Sequence, residues 1–277
     1  ERDKNHPSVV IWSLGNENNV ESDFFGEAYA MFKARDPGRM VQNQGNGPHD
    51  FVDTMYARVR DIEAYGKRND TEMPFILCEY SHAMGNSSGN LADYWRAINA
   101  YPNLQGGFIW DFVDQALRKP IPEDRVQAGQ ATRFWAYGGD YGDCPNDDNF
   151  NCNGLLQANR YPTPQFNEVF HCYQNIRVEG ADVTRGIFKI RNDAFFTNLE
   201  EYDGQWTYEE NGEVIDKGSL GRIDLPPQTT KLITLPIAMP RRPAHAARIS
   251  TWNFSFHTKQ KERWAEKGHV VARSQII

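Results

Sequence analysis

Between residues 8 and 112 the chain alternates short apolar runs with stretches of helical spacing. SVVIWSL, RMVQNQ, VDTMYAR, FILCEY and LQGGFIWDF are the short runs, and DFFGEAYAMFKARD, DIEAYGK and LADYWRAI carry the helical period. The pattern predicts five strands, near 8–14, 39–43, 52–57, 74–80 and 105–112, with helices between them. In the helix expected over 23–35, Phe24, Ala28, Met31 and Phe32 share one face, and Asp36-Pro37-Gly38 stops it. Strands enclosed by helices read as parallel, because crossover helices cover both faces of such a sheet. From about 172 the rhythm changes to alternating strands without helices, through YQNIRVEG, GIFKIRND, QWTYEENGEVIDKG, LPPQTTKLITLPI and RISTWNFSFHTK. Asn211-Gly212 within this half is a type I′ hairpin signal. The expectation is an α/β domain over 1–171 followed by an antiparallel β-sandwich over 172–277. Residues 113–171 form a long connection rich in Gly, Asp and Asn, with a short helix near 164–170.

Composition narrows the partners. At 277 residues, 39% hydrophobic and 24% charged, the chain is long enough for two globular domains. A net charge of −7 argues against nucleic acid and anionic membranes, which need a basic face. Apolar runs such as VVIW are too short to span a bilayer, and no basic stretch leading into an apolar segment marks a secretion signal. Cys78, Cys144, Cys152 and Cys172 show neither zinc-ligand nor disulfide-framework spacing and read as incidental thiols. The compartment stays open, cytoplasm being preferred over periplasm.

The polar residues then fall at one end of the predicted strands. Asn16 and Glu17 follow the first, Tyr56 and Arg58 end the third, Glu79 ends the fourth, and Trp110 and Asp111 end the fifth. In a (β/α)8 barrel that end builds the active site, while the opposite end serves stability. Glu17 and Glu79 can face each other across such a mouth, and paired carboxylates are the equipment for hydrolysing a glycosidic bond. At a separation of about 5–5.5 Å the reaction would retain configuration through a covalent intermediate. Tyr56 could hold the nucleophile ionised, His82 and Asn16 could grip hydroxyls, and Trp110 could floor a sugar ring. Each alone has a plainer reading: a surface acid, a core aromatic, an incidental loop histidine.

In combination the residues resemble a known family. NHPSVVIWSLGNEN at 5–18 resembles the acid/base segment of glycoside hydrolase family 2, and ILCEYSHAMGNSSG at 76–89 its nucleophile segment in the β-galactosidase form. MYAR at 55–58, LQGGFIWDFVDQAL at 104–117 and YGGDYGDCPNDDNFNCNGL at 137–155 extend the resemblance. It implies the C-terminal five strands of a (β/α)8 TIM barrel followed by an immunoglobulin-like antiparallel β-sandwich. It implies a retaining enzyme cleaving terminal β-D-galactosyl residues, with Glu17 as acid/base and Glu79 as nucleophile. Asn16, Tyr56, His82 and Trp110 become substrate contacts. Glu17 becomes a magnesium ligand, Phe150 and Asn153 sodium ligands, and Asn146 a residue near a metal at the rim. The family's remaining cation ligands, first three strands and galactose-binding histidines precede what corresponds to residue 1. The expected partners are therefore the N-terminal remainder of a larger multidomain enzyme and, when intact, further copies of itself. Alternatives are an inert fragment, a sugar-binding module and another family 2 specificity such as β-glucuronidase. After the acid/base segment, Asn18-Asn19-Val20-Glu21 replaces the Gly- and His-containing turn common in relatives, so the acceptor side is expected to differ.

Overall fold

A computed structural model describes residues 1–18, 23–236 and 248–277. Asn19, Val20 and Glu21 of the departing turn, and the end of the predicted LPPQTTKLITLPI strand, lie outside the described residues. The chain divides into two compact units, Glu1–Val169 and Phe170–Ile277.

The first unit contains β1 (Ile11–Ser13), α1 (Phe24–Arg35), β2 (Met40–Gln42), β3 (Val52–Met55), α2 (Val59–Gly66), β4 (Phe75–Tyr80), α3 (Leu91–Ala100) and β5 (Leu104–Ile109). The predicted β/α alternation is present, and every ladder among these strands is parallel. β1 pairs with β2, and β3, β4 and β5 form a second sheet in that order. Phe75, Leu77, Tyr80 and Leu104 are buried, as are Ile62 of α2 and Leu91, Ala97 and Ile98 of α3. Apolar burial thus ties β3–β4–β5 to its crossover helices.

No closed barrel forms among the described residues. β2 and β3 meet through side chains instead of a ladder: Gln42 Nε2 donates to Asp53 Oδ2 at 2.5 Å, and Asp50 Oδ2 accepts the Val41 N–H at 2.8 Å. The apolar face expected on α1 is also largely open, with no residue of the helix buried and Phe24 63% exposed. Its attachment is polar. Tyr29 Oη and Lys33 Nζ both donate to Asp50, at 2.5 and 3.0 Å, while Phe32 touches Trp12 with ring centroids 5.8 Å apart. A two-stranded sheet is too narrow to cover the rest of the helix. Asp36, at the C-terminal end of α1, accepts from Trp12 Nε1 at 2.9 Å and from Arg39 Nη1 at 2.5 Å.

The long connection holds an antiparallel hairpin, β6 (Leu117–Pro120) with β7 (Arg133–Ala136). Its strands are short and mostly solvent-facing, so no apolar run announces them. α4 (Pro164–Tyr173) follows.

The second unit holds two antiparallel sheets. β8 (Ile176–Asp182), β9 (Ile187–Asn192) and β12 (Thr229–Thr234) form one, in the order β12–β9–β8. β10 (Tyr202–Glu210), β11 (Glu213–Gly221), β13 (Ser250–Thr258) and β14 (Val270–Ile276) form the other, in the order β11–β10–β13–β14. Ile176, Val178, Phe188 and Ile190 from the first meet Trp206, Tyr208, Trp252, Phe254 and Phe256 from the second in one core. This is a sandwich built on period-two alternation. Asn211 (φ 51°) and Gly212 (φ 84°) make the β10–β11 hairpin with both central residues at positive φ. No described helix is long and apolar enough to cross a membrane.

Candidate active site

Strict alternation along FILCEY would send Cys78 and Glu79 to opposite faces of the sheet. A register shift against β3 prevents this, since Leu77 pairs with Thr54 and Glu79 with Met55, leaving Cys78 without an opposite residue. Such a bulge re-aims the side chains beyond it. Cys78 and Glu79 therefore both line one cavity of about 610 Å³, and Tyr80 turns into the core. Burial, with Asp53 and Glu79 nearby, pushes the Cys78 thiol up to about 11 and keeps it protonated.

The cavity also takes in Asn16, Gln42, Trp110 and Asp111, so residues from the ends of β1, β4 and β5 converge as the strand-end reading expects. Tyr56 joins them: its Oη donates to Glu79 Oε1 at 2.7 Å, and its N–H donates to the Glu79 carbonyl at 2.9 Å. Burial and then the carboxylate raise the Tyr56 pKa, so the phenol stays a donor. His82 stands next to both Tyr56 and Phe150, with ring centroids 6.3 and 6.0 Å apart. Trp110 is 40% exposed, and its carbonyl accepts the Ala83 N–H at 2.7 Å. Glu17 is exposed beside Asn16 and is not itself in the cavity wall.

Three of these strand ends adopt the left-handed region without glycine: Glu17 (φ 54°), Tyr56 (φ 53°) and Ser81 (φ 51°). Each such residue costs on the order of 1–3 kcal/mol, and such costs concentrate at functional sites. The surroundings compensate at Glu17, whose N–H donates to Gln44 Oε1 at 2.6 Å.

The Asn-rich loop divides its residues by role. Asn146 is spent locally, its Nδ2 donating to the Asp143 carbonyl at 2.9 Å and its Oδ1 accepting the Asp148 N–H at 3.0 Å. Asn153 is 3% exposed; its Nδ2 donates to the Phe150 carbonyl at 3.0 Å, and its Oδ1 is buried with no hydrogen-bond partner among the described residues.

Residues 1–178 match the family described as Glycosyl hydrolases family 2, TIM barrel domain. The chain belongs to glycosyl hydrolase family 2. Residues 188–277 match a second description, Beta-galactosidase, domain 4. Among curated relatives of this family, a beta-galactosidase of Priestia megaterium is 42% identical over 287 residues, covering 100% of this chain and 26% of the relative. One of Clostridium acetobutylicum is 38% identical over 283 residues, covering 100% of this chain and 30% of the relative. The chain thus spans less than a third of the length of these relatives. Among solved structures, a Bacteroides uniformis beta-glucuronidase has TM-score 0.42 at 14% identity, covering 99% of this chain and 34% of that one.

Within this family 2 chain, sequence reasoning missed Gln44 and placed Asp111 at the end of the fifth strand without giving it a role. Gln44 grips the backbone of Glu17, and nothing in RMVQNQ distinguishes it from a strand-end amide. Asp111 lines the cavity with Oδ1 buried and without a partner among the described residues, while Oδ2 accepts from Gln115 Nε2 at 2.5 Å. Burial raises its pKa. Its place beside Trp110 was the available signal.

Proposed function

We propose that this chain carries both catalytic carboxylates of a retaining β-galactosidase that cleaves terminal β-D-galactosyl residues. The observation that carries the reading is the Tyr56–Glu79 bond at the wall of a cavity shared with Asn16 and Trp110. The motifs around these residues, and relatives named beta-galactosidase at 38–42% identity, support the specificity.

Glu79 attacks the anomeric carbon through its free oxygen while Tyr56 holds Oε1, which fixes the orientation of the carboxylate. The glycosidic C–O bond breaks and the leaving oxygen takes a proton from Glu17. Glu17, now ionised, removes a proton from water as it attacks the galactosyl–Glu79 ester, and the released sugar keeps its configuration. Asn16 and His82 contact sugar hydroxyls and Trp110 stacks on the ring. The full-length enzyme performs this reaction, because the strands described here do not close a barrel. We read them as the C-terminal five of eight, with the sandwich immunoglobulin-like, the N-terminal polypeptide as partner, and the intact enzyme as a homo-oligomer.

Magnesium and sodium belong to the proposal. Hard cations take oxygen donors, and the buried unpartnered Oδ1 of Asn153 with the Phe150 carbonyl fits sodium. Glu17 would hold magnesium. Asn146, whose amide is fixed in the loop at both ends, would stand near a metal at the rim with one lone pair of Oδ1 still open. Bound cations would supply fixed positive charge near the sugar oxygens.

The test is a pair of substitutions in the full-length enzyme. Glu79→Gln should abolish turnover with the fold intact, and wild-type activity would overturn the nucleophile assignment. Glu17→Ala should keep its first step on an activated aryl galactoside and be rescued in deglycosylation by azide; no azide effect would remove the acid/base role.

A further inference from the structure

The loop after β4, residues 81–89, has no regular structure, yet it holds His82 against Tyr56 and Phe150. Its serines fold it on itself: Ser87 Oγ donates to the carbonyls of His82 and Met84, and Ser88 Oγ to that of Ser81 at 3.1 Å. Those bonds shape the loop without fixing it to the rest of the unit. Among the described residues its main chain is fixed at two points, the Trp110 carbonyl, which accepts from Ala83, and Gln165 of α4.

Gln165 is 8% exposed and uses every hydrogen-bonding group of its amide on this loop. Nε2 donates to the Ala83 carbonyl at 2.7 Å and the Gly85 carbonyl at 3.0 Å, and Oε1 accepts the Ser88 N–H at 2.9 Å. Ala83 is thus bonded on one side to Trp110 and on the other to Gln165. We propose that Gln165 is a positioning residue that holds the loop carrying His82, anchored on its other side by the Trp110 carbonyl, in the substrate-binding geometry. The inference rests on the galactosidase reading for its kinetic consequence and on geometry alone for its structural one.

Gln165→Leu keeps the bulk and takes from three main-chain groups of the loop, the buried Ala83 carbonyl among them, their bond to this side chain. In the full-length enzyme it should lower kcat/KM for a nitrophenyl β-galactoside by roughly ten- to hundredfold, as displacement of a binding group does. If it acts through His82, the same change made in a His82→Ala background should cost less than about twofold, the spread expected of independent sites. An undiminished loss in that background overturns the proposal. Gln165→Glu serves where the leucine variant fails to fold. It keeps the acceptor for Ser88 and loses the two donors, so its kcat/KM relative to wild type should rise as the pH falls and the introduced carboxyl gains a proton. A pH-independent ratio contradicts the proposal. Amide hydrogen exchange at Ser88 should be faster in the full-length Gln165→Leu variant, which removes its acceptor, and unchanged exchange there overturns the proposal whatever the substrate. Absence of galactosidase activity in the wild-type full-length enzyme would instead defeat the functional reading, leaving the exchange result to decide the positioning role.

Discussion

At the scale of single residues the proposed chemistry rests on Tyr56 and Glu79. A carboxylate that accepts a 2.7 Å bond from a neighbouring phenol is held in one orientation. Tyr56→Phe removes that bond and little else. It should reduce kcat by roughly 10²–10³-fold, the range for losing one oriented donor in an active site, with the melting temperature within a few degrees of wild type. A kcat unchanged within twofold would mean the bond is incidental. The convergence of Asn16, Glu79 and Trp110 on one cavity, with Tyr56 bonded to Glu79, was legible in the sequence because each follows an apolar run whose strand character is plain. Gln44 and Gln165 were not. An amide acquires its role from the backbone groups it meets, and those of Gln165 lie about 80 residues away in the chain.

At the scale of elements the strands were read from their apolar runs, and the bulge in β4 was not. FILCEY has no glycine or proline at the bulge, and the shift appears only once β3 fixes the register. The neighbouring strand makes room for it. A Cβ built on Gly107 of β5 would lie 2.9 Å from Leu77 and from the Tyr80 ring. Gly107→Val should therefore destabilise the first unit by about 1–3 kcal/mol, the cost of overpacking, measured by urea unfolding. A variant as stable as wild type would show that β4 and β5 are not packed this closely. The exposed face of α1 was likewise hidden from the sequence, since helical spacing says which side chains align and not whether anything covers them. What fixes α1 is polar, and this gives it a pH dependence. The Trp12 and Arg39 hydrogen bonds lower the Asp36 pKa below its unfolded value. A depressed carboxylate contributes stability that is complete above the unfolded pKa, about 3.9, and is lost as the pH falls through the folded one. Asp36→Asn should accordingly be less stable than wild type at pH 7, with the gap closing below about pH 3.9. A gap that persists undiminished at pH 2 would place the effect in shape instead of charge.

At the scale of the whole molecule, the sequence led to a partial barrel followed by a sandwich, and both family matches fall on those two regions. Barrel closure was not legible, because among the described residues β2 and β3 are bridged by side chains and share no ladder, and the parallel strands stay in two sheets. The central claim is that Glu79 becomes covalently attached to the sugar. It is tested most directly by incubating the full-length enzyme with a 2-deoxy-2-fluoro-β-galactosyl donor, which slows hydrolysis of the intermediate, and sequencing the labelled peptide by mass spectrometry. The fluorosugar should be found on Glu79, and on no residue in Glu79→Gln. A label on another side chain, or turnover with inversion and no labelled peptide, would contradict the account.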